Sequence, residues 1–116
     1  MPIHIPEKTN DKSVISGRGD TLFLRGEIDS VDPGIFLTPF FRAAREQMGE
    51  TVKIDFTELE FLNSSGIKHI VSFVMDKKPG ASIIFITDTT KTWQRTSLEV
   101  IQSLDEDSIS IEERSS

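Results

Sequence analysis

Asp55-Phe-Thr-Glu-Leu-Glu-Phe-Leu-Asn-Ser-Ser-Gly-Ile-Lys-His-Ile-Val-Ser-Phe-Val74 is the stretch whose reading decides the fold. It reads as the end of a buried strand, a short loop, and a helix that begins on two serines. The strand is Thr51 to Asp55, where Val52 and Ile54 alternate with polar residues. The helix is marked by Ile67, Ile70, Val71 and Val74, whose spacing of three, four and seven places one apolar stripe on one face. Asn63, Ser64 and Ser65 stand just ahead of that stripe, where an N-cap is expected. A hydroxyl is therefore held at the positive end of a helix, close to solvent. Two readings of it are open. A small polar side chain there satisfies orphaned backbone amides. Alternatively the free amides and the helix dipole receive a phosphate.

Composition narrows the function classes. At 116 residues the chain is expected to form one domain that buries a core without a disulfide or metal. It has no cysteine, so neither a disulfide framework nor a thiol nucleophile exists, in keeping with a reducing cytosol. No apolar run approaches a membrane span, and the N-terminus lacks the apolar core of a signal peptide, so a cytoplasmic protein is expected. A formal charge of −6 opposes the phosphate neutralisation on which non-specific nucleic-acid binding depends. With no tyrosine and the single tryptophan Trp93, platforms for stacking bases are few.

Outward from the central stretch, Met1 to Lys12 carries two prolines and is expected to be an arm or irregular edge, although Ile3 and Ile5 alternate. Ser13–Ser16 and Thr21–Gly26 read as strands around the turn Gly17-Arg18-Gly19-Asp20, which accounts for an Arg-Gly-Asp triplet without a cell-adhesion role. Pro33, Gly34 and Pro39 argue against an uninterrupted helix across Asp29–Thr38, so Thr38 as N-cap with Pro39 at the first position is expected to open one. Its buried face is Phe40, Phe41, Ala44 and Met48, and Gly49 ends it. Past the turn Lys77-Lys78-Pro79-Gly80, Ala81–Ile86 suits a strand covered by helices. A third helix is expected over Thr92–Leu104 with Trp93, Leu98, Ile101 and Leu104 inward. Ser108–Ile111 then alternates as a last strand, and Glu112–Ser116 reads as a frayed tail. The alternation implies an α/β domain, a mixed β-sheet with helices packed mainly on one face.

Catalysis is hard to assemble from these residues. His4 and His69 are far apart and fit no metal-ligand spacing. Ser64 lacks the Gly-x-Ser-x-Gly setting of a hydrolase elbow and an evident general base. No Gly-x-x-x-x-Gly-Lys-Ser loop is present. Asp29 and Asp55 suit strand ends better than an active site. No cofactor is expected.

The pattern Asp55-Phe56-Thr57-x-Leu59-x-Phe61-Leu62-Asn63-Ser64-Ser65-Gly66 resembles the signature of STAS domains, among them the bacterial anti-sigma factor antagonists. Leu24-Arg25-Gly26-Glu27-Ile28-Asp29 resembles the family's strand ending in Gly-Glu-Leu-Asp. The resemblance covers residues 13–111, between an arm at 1–12 and a tail at 112–116. It implies a STAS-like single-domain fold and a partner-switching regulator of signalling and transcription in bacteria, with no activity as an enzyme. In such a circuit the unphosphorylated form docks on a serine/threonine protein kinase of anti-sigma type. That kinase phosphorylates the residue matching Ser64, and a PP2C-type phosphatase restores it. The implied docking face is the loop from Thr57 through Glu58, Glu60 and Asn63, then Ser65, Gly66, Lys68 and His69. Two departures bear on the partner. Asn63 replaces the usual aspartate, as in STAS-like regulators of biofilm or second-messenger enzymes. Lys68 and His69 make the face bulkier and more basic. The alternative is a STAS-like module that binds a regulatory enzyme or small ligand without phosphorylation, with Ser64 as a cap only.

Overall fold

The structure is a computed structural model and describes residues 2–115. Its elements in chain order are β1 (Ile3–Asn10), β2 (Ser13–Gly19), β3 (Thr21–Ile28), α1 (Gly34–Gln47), β4 (Thr51–Asp55), β5 (Leu59–Leu62), α2 (Ser64–Met75), β6 (Ser82–Asp88), α3 (Thr92–Gln102) and β7 (Ile109–Arg114). They form one sheet in the order β1-β2-β3-β4-β6-β7, with β5 paired to β3. The first three strands are antiparallel, and β3, β4, β6 and β7 run parallel. Each parallel step moves in the same direction along the sheet. Because such crossovers are right-handed, α1, α2 and α3 fall on one face. Leu22, Leu24, Val52, Ile54, Ile83, Phe85 and Ile109 point into that layer and are fully or almost fully buried. Their neighbours in the pleat, including Thr21, Phe23, Lys53 and Asp55, look out from the other face and are half-buried. This is the mixed sheet with helices on one face that the alternation of elements implies.

Several boundaries differ from the sequence reading. The segment expected to be an arm is the edge strand β1, with Ile3 only 2% exposed; Pro6 is accommodated by a register break between Ile5 and Lys8. Met1 lies outside the described residues. The turn between β2 and β3 is tighter than expected: Arg18 pairs with Thr21, leaving Gly19 and Asp20 as a two-residue loop with Gly19 at φ 68°. Helix α1 opens at Gly34 with Pro33 as its cap, and Pro39 sits inside it instead of starting it. Pro39 removes a hydrogen bond to the Ile35 carbonyl. Burial of Phe36 and Leu37 in the extra turn offsets that loss, at about 2 kcal/mol for each side chain. Leu104 lies beyond the end of α3 and is exposed. The tail expected from Glu112 is strand β7 through Arg114, paired with β6; Ser116 lies outside the described residues.

The largest unforeseen feature is a break in the strand line of the central stretch. β4 pairs with Thr21–Phe23 of β3, and β5 resumes on Gly26–Ile28 of the same strand. Between them Asp55 closes a tight turn, its Oδ1 accepting from the Thr57 N–H (2.8 Å) and hydroxyl (2.7 Å). Phe56 drops fully into the core. The carbonyls exposed by the break are met by a buried residue of α3. Gln94 Nε2 donates to the Phe56 carbonyl (2.6 Å) and to the Leu59 carbonyl (2.9 Å), while its Oε1 accepts from the Asp88 N–H (2.9 Å). Gln94→Leu keeps the volume and orphans two backbone groups, the Leu59 carbonyl and the Asp88 N–H, while the Phe56 carbonyl keeps only the Leu59 N–H (2.9 Å). We expect it to lower the unfolding free energy by about 3 kcal/mol, read as a shift of the urea midpoint; an unchanged midpoint would show that water or other donors reach those groups.

A second tie joins the far ends of α2 and α3. Lys77 meets Asp105 at 3.0 Å, with the lysine side chain mostly buried. The Lys77 ammonium, and after it the Ser108 hydroxyl, hold the Asp105 carboxyl below its ordinary value. The unfolded chain therefore takes up this proton at higher pH than the folded one, and the associated stability, full above the ordinary carboxyl value of about 4, is lost as pH falls below it and through the lowered folded value. The melting temperature of the parent chain is expected to drop more steeply between about pH 5 and pH 3 than that of Asp105→Asn.

Candidate functional site

The site grows out of the end of β5. Asn63 is the N-cap of α2, in extended conformation at φ −78°, ψ 172°. All four of its polar groups are engaged. Its N–H donates to the Ile28 carbonyl (3.0 Å), and its carbonyl accepts from the Ile67 N–H (3.0 Å). Its side-chain Oδ1 accepts from the Gly66 N–H (2.8 Å) and its Nδ2 donates to the Ser30 carbonyl (2.8 Å). With Gly66 and Ile67 served, the N–H groups of Ser64 and Ser65 are the donors left at the positive end of the helix.

Ser64 is exposed and is the first helical residue, and Ser65 is half-buried. The cap is thus Asn63, and the Ser64 hydroxyl is not the capping group. Gly66 is buried because nothing larger fits: a Cβ there would lie 2.5 Å from Leu62 Cδ1 and 3.2 Å from Ile28 Cγ2. Lys68 is exposed on the next turn. His69 is half-buried and packs on the start of α1, where a Cβ on Gly34 would lie 2.8 Å from its Cε1.

The remaining residues of the expected docking face lie apart from this cluster, since β5 alone carries the chain roughly 13 Å. Thr57 is half-buried in the Asp55 turn. Glu58 gives its carbonyl to the Gly26 N–H (3.0 Å), and its side chain borders a cavity of about 430 Å³ on the helix-free face beside Phe23 and Arg25. Glu60 pairs with Lys91 at 3.1 Å. The structure brings together Asn63, Ser64, Ser65, Gly66, Lys68 and His69, and spreads Thr57, Glu58 and Glu60 along the approach to them.

Sequence reading passed over the segment between β3 and α1. It is pinned against the first two turns of α2 by the Ser30–Asn63 hydrogen bond and by Gly34 under His69. It presents Val31, 98% exposed, and Ile35, 75% exposed. Phe61, 48% exposed, stands two residues before Asn63. An apolar residue inside a Ser-Val-Asp-Pro turn was the available signal for Val31, because a turn of that composition has no core to fill.

No family model matches the chain. No curated protein matches it by sequence. Among solved structures it is similar to a crystal structure of an anti-sigma factor antagonist from Mycobacterium paratuberculosis, at 17% identity and a TM-score of 0.60, over 86% of this chain and 80% of that one. The likeness establishes the fold: the STAS-like architecture is the one this chain adopts. Among the described residues no helix is long and apolar enough to cross a membrane, and no three histidine, aspartate or glutamate side chains cluster to hold a metal ion.

Substitutions at Asn63 separate its two bonds. Asn63→Asp keeps an acceptor for Gly66 N–H but cannot donate to Ser30, whereas Asn63→Ala loses both. Thermal unfolding is expected to rank the chains Asn, then Asp, then Ala, with alanine about 2 kcal/mol below the parent.

Proposed function

We propose that the chain is a phosphorylation-switched, protein-binding regulator of the anti-sigma-antagonist kind, acting in the cytoplasm. The observation that carries this reading is an exposed serine at the first position of a capped helix on a STAS-like fold, with two backbone donors beside it. The unphosphorylated form docks on a partner of the serine/threonine kinase type through the cluster at the start of α2 and the residues of β5 leading to it. The kinase transfers the γ-phosphoryl of ATP to Ser64 Oγ, releasing ADP and the hydroxyl proton. A PP2C-type phosphatase hydrolyses the ester and restores docking. The role is binding and not catalysis, and it calls for no cofactor, nucleic acid or membrane.

The modification places roughly 1.5 to 2 negative charges on an exposed part of the cluster. Ser65, Gly66 and the half-buried His69 then act through shape, holding the helix end against β5 and α1. Lys68, one turn on, offers a cation to the face.

Two measurements test the reading. Intact mass after incubation with a cognate anti-sigma-type kinase and ATP is expected to rise by one phosphate, and not to rise in Ser64→Ala. In pull-down with that kinase, Ser64→Ala is expected to bind as the parent does and Ser64→Asp to bind on the order of a hundredfold more weakly. Equal binding by Ser64→Asp would remove the proposed direction of the switch.

A further inference from the structure

Asn63 uses its side chain in two directions at once, toward its own helix and toward the segment that precedes α1. Beyond that bond, the backbone of the segment is tied at its far end, where the Asp32 carbonyl accepts from the Ile35 N–H (3.4 Å). Asp29 at its start pairs with Lys12 at 3.1 Å, and Pro33 at its end is the buried cap of α1. Between these anchors the Ser30 carbonyl is held by Asn63 Nδ2, and the next residue, Val31, is the most exposed large apolar side chain among the described residues.

We propose that Asn63 is a relay: a phosphate on Ser64 draws the Asn63 amide away from Ser30 and frees the Ser30–Asp32 segment, so that the surface around Val31 is presented in one state only. The proposal rests on Ser64 as the modified residue. Its physical basis is competition for one donor. In the unmodified chain Nδ2 meets a neutral carbonyl. A phosphate dianion on the adjacent residue is the stronger acceptor, because hydrogen bonds to ionised groups are roughly twice as strong as neutral ones. The same dianion repels Oδ1 and can take over the Gly66 N–H that Oδ1 serves, so the cap bond ceases to hold the amide in place. Rotation about the last side-chain torsion of asparagine is soft and opposes this little.

The relay requires asparagine. An aspartate accepts from Gly66 N–H equally well but has no hydrogen to give Ser30. A chain with aspartate at this position caps the helix and leaves the segment untied in both states. Asn63 thus adds a second output to the charge itself: docking loses an ordered apolar element at the same time as it gains a buried-charge penalty.

The test uses the full chain carrying phosphoserine installed at position 64 by genetic encoding, so that it does not depend on whether any kinase acts there. Backbone ¹⁵N relaxation is expected to give order parameters near 0.85 for Ser30–Asp32 in the unmodified chain and below about 0.6 in the phosphorylated one. The Asn63 side-chain amide signal is expected to move with them. In Asn63→Asp the segment is expected to be mobile with or without the phosphate. Order parameters that stay high in the phosphorylated chain, as they would if Nδ2 served both acceptors, overturn the relay. So does an ordered segment in Asn63→Asp. A kinase that leaves Ser64 unmodified would instead retire the switch while the relay, tested on the encoded phosphoserine, stands or falls by itself.

Discussion

A buried carboxamide, that of Gln94, holds the broken strand line together, and the candidate site depends on it. A continuous strand from Thr51 would carry the chain straight along β3. The turn at Asp55–Thr57 interrupts it, sinks Phe56 into the core, and restarts the chain as β5. Such a break leaves carbonyls without ladder partners in the interior, at a cost of about 1 to 3 kcal/mol each if unmet. Gln94 meets that of Leu59, shares that of Phe56 with the Leu59 N–H, and with its other end fixes the Asp88 N–H at the end of β6. Lys91, at the start of the same helix, reaches Glu60 and Asp88, so the ties of Lys91 and Gln94 converge on the break. What this secures is the path of β5, and the path of β5 decides where Asn63 and Ser64 stand.

From there a second constraint takes over. The start of α2 is crowded on two sides, by Leu62 and Ile28 against Gly66 and by Gly34 against His69. The helix end is therefore held by packing as well as by its cap, and the exposed serine is carried on a rigid support.

Much of this was legible in the sequence where one force dominates. The apolar stripe of α2, the strand Thr51–Asp55 and the turn at Gly80, with φ 84°, follow from periodicity and from the residue that adopts left-handed backbone most readily. Misreadings fall where a polar residue does interior work or an apolar one does not. Gln94 precedes Leu98 and Ile101 on the inward face of α3, but its chemistry reads as solvent-facing until the orphaned carbonyls opposite it are known. Leu104 reads as core and is exposed because the helix ends before it. Glu112, Glu113 and Arg114 read as a tail since an edge strand buries little; their pairing is set by β6, and Arg95 and Arg114 neutralise the two glutamates. The helix start at Gly34 was hidden by a proline rule that tertiary burial of Phe36 and Leu37 overrode. At the site, Asn63 and the serines were readable as a helix end, but the reach of Nδ2 to Ser30, 33 residues earlier in the chain, is a property of the folded sheet alone.

The position of Ser64 has an energetic consequence for any charge placed there. At the free helix end an anion is favoured by the dipole, typically by 0.3 to 1 kcal/mol, and can satisfy the two spare N–H groups. The proposed modification at Ser64 is therefore compatible with the helix end. In a docked complex the same charge loses its water, and an uncompensated buried ion costs several kcal/mol. The two effects oppose each other in sign, and the hundredfold weakening proposed for docking corresponds to a difference of about 2.7 kcal/mol. A serine one or two turns further along α2 would lack the first effect, and a serine beneath the helix would be closed to a transferring enzyme. An exposed first-turn position satisfies both requirements, and in this fold the cap belongs to Asn63 while Ser64 stands beside it as the first helical residue.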